Sequence, residues 1–261
     1  MASKCSVPPV PDSFGVFIPG ESGRIFSQIY TPGSDGPSPV VILCHGFPGN
    51  ERLLDFAVYL REQGFCTVSF HYRGSWGSDG SYSLHGGMAD ADAVIDYVLS
   101  NPGGFFDTSR ISILGYSWGA TVTAHMLKTR QELHSGILLM PCDMKNLTEK
   151  LFLDPAVVDL FSEGCEWLRD FSCSQMISEV AADPEQFSIP ACAPAICGKN
   201  VLIANGVYDT LFTYEDNVLP LADAVRRLGG AALTVRTLET DHGLNINRST
   251  VKDMVAEFLR Q

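Results

Sequence analysis

Ile111-Ser112-Ile113-Leu114-Gly115-Tyr116-Ser117-Trp118-Gly119-Ala120-Thr121-Val122 passes from a short apolar run, through two glycines that flank a serine, into a segment of helical composition. The first four residues read as a buried strand and the residues from Ala120 onward as a helix. In that context G-x-S-x-G makes a nucleophile elbow. Its glycines remove side chains that would collide in a tight turn, and the serine hydroxyl is left exposed. Ser117 is therefore the candidate nucleophile.

Outward from this stretch, similar apolar runs recur at Val40–Cys44, Thr67–Phe70, Gly136–Met140, Val201–Ala204 and Leu233–Leu238. Runs that are apolar throughout predict strands buried on both faces, as in a parallel sheet. Segments of helical period alternate with them, over about 51–63, 87–100, 118–130, 215–228 and 249–260; Met88, Ala91, Ile95 and Val98 mark one apolar face. This grammar predicts an α/β, doubly wound domain spanning 1–261. The first forty residues predict a β-meander, with strands at Phe14–Ile18 and Ile25–Tyr30 around a turn at Pro19–Gly23. Between Pro141 and Lys199 two strands are separated by a connection too long to be structureless, so residues 142–199 are predicted to form an inserted helical cap.

A serine hydroxyl needs a base, and the base needs an acid to hold its ring. Of six histidines, His45 and His71 sit at strand ends, His85 in a turn-rich loop, and His125 and His134 in or after the helix behind the serine. His125 is eight residues along that helix, about 12 Å from the elbow. His242, in Asp241-His242-Gly243, follows the last strand at the carboxyl edge where doubly wound sheets place their chemistry. Asp209 stands at the same edge after Val201–Ala204. Asp216 is predicted inside the following helix, and the Asp241 carboxylate points away from its neighbour's imidazole, so Asp209 is the candidate acid. Ser117, Asp209 and His242 follow the chain order nucleophile, acid, base. Oxyanion donors are expected from the main-chain N–H of Trp118, after the serine, and of Phe47 in His45-Gly46-Phe47-Pro48-Gly49, where Pro48 has no N–H to give.

With these residues the chain resembles the α/β-hydrolase superfamily over nearly its whole length. His45-Gly46-Phe47-Pro48-Gly49 looks like the oxyanion loop of that family. Phe70-His71-Tyr72-Arg73-Gly74-Ser75-Trp76-Gly77-Ser78-Asp79-Gly80 resembles its Y-R-G-x-G-x-S-D-G segment, with Trp76 in place of a usual glycine and expected to pack under the cap, the alternative being that it narrows the pocket. The likeness is to small cytosolic carboxylesterases, cinnamoyl and feruloyl esterases among them, and to the catalytic domain of prolyl oligopeptidase-type peptidases. It implies an α/β-hydrolase fold, a mostly parallel sheet with a cap before the acid-bearing strand, and hydrolysis of carboxylic esters through an acyl-enzyme on Ser117. A peptidase or amidase with the same triad, and a catalytically silent receptor or scaffold, stay open.

A net charge of −12 argues against a nucleic-acid partner. The segment Met1–Pro9 lacks the apolar stretch of a secretory signal, and no run approaches the ~18 apolar residues of a membrane span, giving the expectation of a cytoplasmic protein that acts on a small-molecule ester. Eight scattered cysteines read as reduced thiols. Cys192 and Cys197 match no zinc spacing, so neither metal nor organic cofactor is expected. The cap contributes Leu151, Phe152, Leu153, Phe161, Trp167, Leu168 and Phe171, enough apolar surface for a pocket or for burial against the core.

Overall fold

Residues 10–151, 154–230 and 233–261 are described by the computed structural model of the chain. The opening meander is an antiparallel hairpin, β1 (Asp12–Gly20) and β2 (Gly23–Thr31), turning at Glu21 and Ser22. Strand and helix then alternate through β3 (Ser38–Cys44), α1 (Leu54–Glu62), β4 (Cys66–Phe70), α2 (Leu84–Ser100), β5 (Phe106–Tyr116), α3 (Trp118–Thr129) and β6 (Leu133–Leu139). Four helices follow before the next strand: α4 (Met144–Leu151), α5 (Pro155–Cys165), α6 (Cys173–Ala182) and, after a 3-10 turn at Pro190–Cys192, the short α7 (Ala193–Ile196). The chain continues through β7 (Asn200–Gly206), α8 (Tyr214–Asn217), α9 (Leu219–Arg227), β8 (Leu233–Leu238) and α10 (Arg248–Leu259).

The eight strands form one sheet in the order β1-β2-β4-β3-β5-β6-β7-β8. Its first two pairings are antiparallel and the rest parallel. Alternation along each central strand divides the apolar side chains between two layers. Val40 and Ile42 of β3 and Ile111 and Ile113 of β5 pack toward α2 and α3, with Val94, Ile95 and Val122. Val41, Leu43, Leu114, Ile137 and Leu202 pack on the other face with Phe56 and Leu60 of α1 and Val251, Val255 and Phe258 of α10. Each such side chain contributes roughly 1.5–3 kcal/mol on burial, which is why the apolar runs settle between two helical layers.

Four expectations change. Strand β8 is half-buried, with Arg236 and Thr237 exposed, because it is the edge strand and has only β7 beside it. The helix read over 215–228 is two helices, since Pro220 has no N–H to continue the helical ladder from α8 into α9. His85 lies in the first turn of α2, not in a loop, because Ser83 caps that helix by accepting from the Gly86 N–H. Trp76 is not buried; it is 37% exposed. Cys192 and Cys197 donate to different carbonyls, Ser188 and Leu228. Met1–Pro9, Phe152, Leu153 and the side chain of Leu151 lie outside the described residues.

The strand order places the chemistry. β3 has β4 on one side and β5 on the other, so the connections leaving β3 and β5 diverge and open a crevice at their carboxyl ends. Cys44 and Gly115 are register partners at that edge, which sets the loop 45–50 beside Ser117.

Candidate active site

Ser117 sits between β5 and α3 with φ 55° and ψ −120°, a conformation costly for a residue with a side chain. The two flanking glycines allow it by close approach. A Cβ at Gly115 would stand 1.9 Å from the Gly119 carbonyl oxygen, and one at Gly119 would stand 2.0 Å from the Cys44 carbonyl oxygen. Neither position can hold another residue without moving the sheet or the helix.

The loop after β8 carries His242 to the serine: its Nε2 lies 3.0 Å from Ser117 Oγ and its Nδ1 lies 2.5 Å from Asp209 Oδ2. Asp209 is buried, and its Oδ1 accepts from the N–H groups of Leu211 (3.2 Å) and Phe212 (2.8 Å), so both carboxylate oxygens have partners. The loops bearing Asp209 and His242 are tied by main-chain bonds from Val207 N–H to the Leu238 carbonyl and from Tyr208 N–H to the Thr240 carbonyl. The competing acids are engaged elsewhere. Asp216 pairs with Lys150 at 2.8 Å, and Asp241 accepts from the main chain and side chain of Asn245.

Three further groups hold His242 and its loop. The Tyr116 hydroxyl donates to the His242 carbonyl at 2.9 Å, the Phe212 ring lies 4.6 Å from the imidazole centroid, and Arg248 donates to the Gly243 carbonyl while pairing with Glu51 and Asp55. His85 instead pairs with Glu179 at 3.0 Å. Burial lowers His45 to about 4, so its ring is neutral, and its Nδ1 lies 2.7 Å from the Gly46 carbonyl within the 45–50 loop.

A cleft of about 260 Å³ opens over Ser117 and His242. Phe47, Pro48 and Trp118 line it from the sheet edge, Cys142 and Met144 from the chain after β6, Leu160, Phe161 and Gly164 from α5, and Leu211 and Phe212 from the loop after β7. The N–H groups of Phe47 and Trp118 have no hydrogen-bond partner among the described residues, and Trp118 opens α3, where helical N–H groups point outward. Cys142 is no rival nucleophile, since burial pushes its thiol well above the ordinary range and keeps it protonated.

Among the lining residues, Leu211 and Phe212 follow Asp209 by two and three positions and could have been found from it. Leu160 and Gly164 come from α5 and carry no such signal. Of the cap residues read from sequence, Phe161 lines the cleft, Leu168 and Phe171 are buried, and Trp167 is exposed and stacks on Trp76 with centroids 5.8 Å apart.

A family model described as the alpha/beta hydrolase fold matches residues 39–163. An uncharacterized protein of Mycobacterium tuberculosis is 31% identical over 134 residues, covering 48% of this chain and 47% of that protein. The match thus spans about half the length of that curated relative. An esterase of Pyrococcus furiosus superposes with a TM-score of 0.71 at 21% identity, over 95% of this chain and 90% of the other. An acylaminoacyl peptidase of Pyrococcus horikoshii superposes with a TM-score of 0.72 at 14% identity, over 97% of this chain and 41% of the other. At these identities the likeness is one of fold. No helix among the described residues is long and apolar enough to cross a membrane.

Proposed function

We propose, on the premise that this chain is an α/β-hydrolase by fold, that it is a serine hydrolase cleaving carboxylic esters through an acyl-enzyme on Ser117. The observation that carries the reading is the position of His242, whose two ring nitrogens reach Ser117 Oγ at 3.0 Å and Asp209 Oδ2 at 2.5 Å. Nδ1–H donates to Asp209, which leaves Nε2 unprotonated and ready to accept the serine proton. The freed oxygen attacks the ester carbonyl, and the resulting oxyanion accepts from the N–H groups of Phe47 and Trp118. His242 returns the proton to the departing alcohol. A water then yields its proton to His242 and attacks the acyl-enzyme, and His242 returns that proton to Ser117 Oγ as the acid leaves.

Residues 142–199 act as a cap in this reading, supported by the cleft-lining side chains of Met144, Leu160 and Phe161. Apart from Ser117 and His242 the cleft is lined by apolar groups and a thiol, which favours a neutral, apolar acyl group. An ammonium group placed there would lose its hydration without a carboxylate to replace it.

Hydrolysis of p-nitrophenyl butyrate by wild type and Ser117→Ala tests the assignment. The variant is expected to lose about 10⁴-fold or more in kcat, together with fluorophosphonate labelling. An undiminished rate in the variant would remove Ser117 from the reaction. In the same assay a cationic aminoacyl anilide is expected to be cleaved about a hundredfold less efficiently than the ester; the reverse order would favour a peptidase.

A further inference from the structure

Phe47 lines the cleft, and its side chain is gripped by α5. Its ring stacks on Phe161 with centroids 5.4 Å apart and planes 27° from parallel, while Tyr82 and Phe171 close around it at 6.3 and 6.5 Å. Gly164 lies three residues beyond Phe161 on the same face of α5. A Cβ built at Gly164 would stand 2.5 Å from Phe47 Cε1 and 3.2 Å from Cζ, inside the roughly 3.5–4.0 Å of an ordinary carbon contact.

Nothing in the backbone asks for glycine at this position. Gly164 is helical and absent from the residues of positive φ, and alanine is the better helix former. The contact with Phe47 is what the missing side chain permits. A second contact leaves the same end of the insert. Trp167 stacks on Trp76 with planes 14° apart, and the Trp76 Nε1–H donates to the Pro48 carbonyl at 3.1 Å. Two consecutive residues of one loop, Phe47 and Pro48, are therefore held by the C-terminal end of α5 and the turn after it.

We infer that this end of the insert sets the position of the Phe47 N–H, with Gly164 as the positioning residue and the Trp167–Trp76 stack as its support. The inference rests on the reading of Phe47 as an oxyanion donor. It makes the insert a determinant of turnover and not only of binding, because an oxyanion donor acts on charge that develops in the transition state. A Cβ at Gly164 displaces a ring already enclosed by three other aromatics, and the Phe47 main chain moves with it. A displacement near 1 Å at a reacting centre can cost up to about a hundredfold in rate.

The test is a double-mutant cycle in the full chain with p-nitrophenyl butyrate, read as kcat and KM separately. Gly164→Ala is expected to lower kcat by about tenfold to a hundredfold with KM changed by less than about threefold. In a Phe47→Leu background, where the clashing ring edge is gone, Gly164→Ala is expected to change kcat by less than about threefold. Unchanged kcat with a raised KM would mean that α5, and not the loop, gives way, and would overturn the inference. So would equal losses in the two backgrounds. If Gly164→Ala does not fold, the exposed Trp167→Ala carries the test. It is expected to lower kcat about threefold at wild-type melting temperature, and an unchanged kcat would overturn the inference. Wild-type protein that neither hydrolyses the ester nor takes the fluorophosphonate would instead overturn the functional reading; hydrolysis that persists at full kcat in Gly164→Ala would overturn the positioning role alone.

Discussion

The hydroxyl of Tyr116, one of the two unspecified positions of G-x-S-x-G, reaches the main-chain carbonyl of His242 at 2.9 Å. Tyr116 is buried on the face of the sheet that packs against α1 and α10, and its ring lies 5.4 Å from the imidazole. The residue before Ser117 thus fixes the loop that carries the proposed base, 126 residues later. Replacing the hydroxyl leaves a carbonyl unpaired at a cost of about 1 kcal/mol, which corresponds to roughly fivefold in rate. Tyr116→Phe is expected to lower kcat for the ester by about that factor while leaving fluorophosphonate labelling at Ser117 complete at long times. A rate equal to wild type would show that the His242 loop is held without it.

At the scale of elements, helix α2 is joined to the segment after β4 by a buried ion pair. Both Arg73 Nε and Nη2 reach Asp90 Oδ1, at 3.0 and 2.9 Å, and the Arg73 main-chain N–H donates to Oδ2 at 2.6 Å. Burial pushes the Asp90 carboxyl above its ordinary range, and the hydrogen bonds and charge of Arg73 act against that rise. Removing Asp90 leaves the buried Arg73 guanidinium with only the exposed Glu21 carboxylate, 3.7 Å away, and the Ser22 hydroxyl as partners. Asp90→Ala is expected to destabilise the fold by about 3–5 kcal/mol, measured by urea unfolding. A loss below about 1 kcal/mol would place the pair with exposed ion pairs, which contribute little. The Arg73-Gly74 segment was legible as a motif. Its partner was not, because Asp90 lies on a helix whose sequence shows only the apolar face marked by Met88, Ala91 and Ile95.

Over the whole molecule, two buried histidines contribute a loss of stability as pH falls. His45 and His71 lie with ring centroids 5.6 Å apart, and His45 Nε2 and His71 Nδ1 have no partner among the described residues. From the ordinary imidazole value of 6.5, burial lowers His45 to about 4; burial, then His45 and Arg52, lowers His71 to about 3. In the unfolded chain both rings take up protons near pH 6.5, while in the folded chain they stay neutral until pH falls to about 4. The unfolded state binds more protons across that window, so stability is fully present above pH 6.5 and is lost as pH falls toward 4. For two groups the loss is about 3 kcal/mol per pH unit below 6.5. The melting temperature is expected to fall steeply between pH 6.5 and 5, and a flat profile there would rule out two neutral buried rings.

The sequence by itself determined the sheet, the elbow and the three residues that meet at its edge. Each of these has a local cause. Apolar β-branched runs make buried strands wherever two helical layers cover them, and Gly115 and Gly119 stand where any Cβ would strike main chain. Asp209 and His242 were readable because each follows a strand, and strands of a parallel sheet end on one side. Strand β8 departed from the reading because being at the edge is a property of strand order and not of the strand. Only the tertiary structure decided that Tyr116 holds the His242 carbonyl, that Trp76 is exposed and stacked on Trp167, and that Gly164 lies against Phe47. These contacts join residues on different elements, and they depend on how the elements pack. Periodicity along a single chain records which face of a helix is apolar, but not which side chain of another element will lie against it.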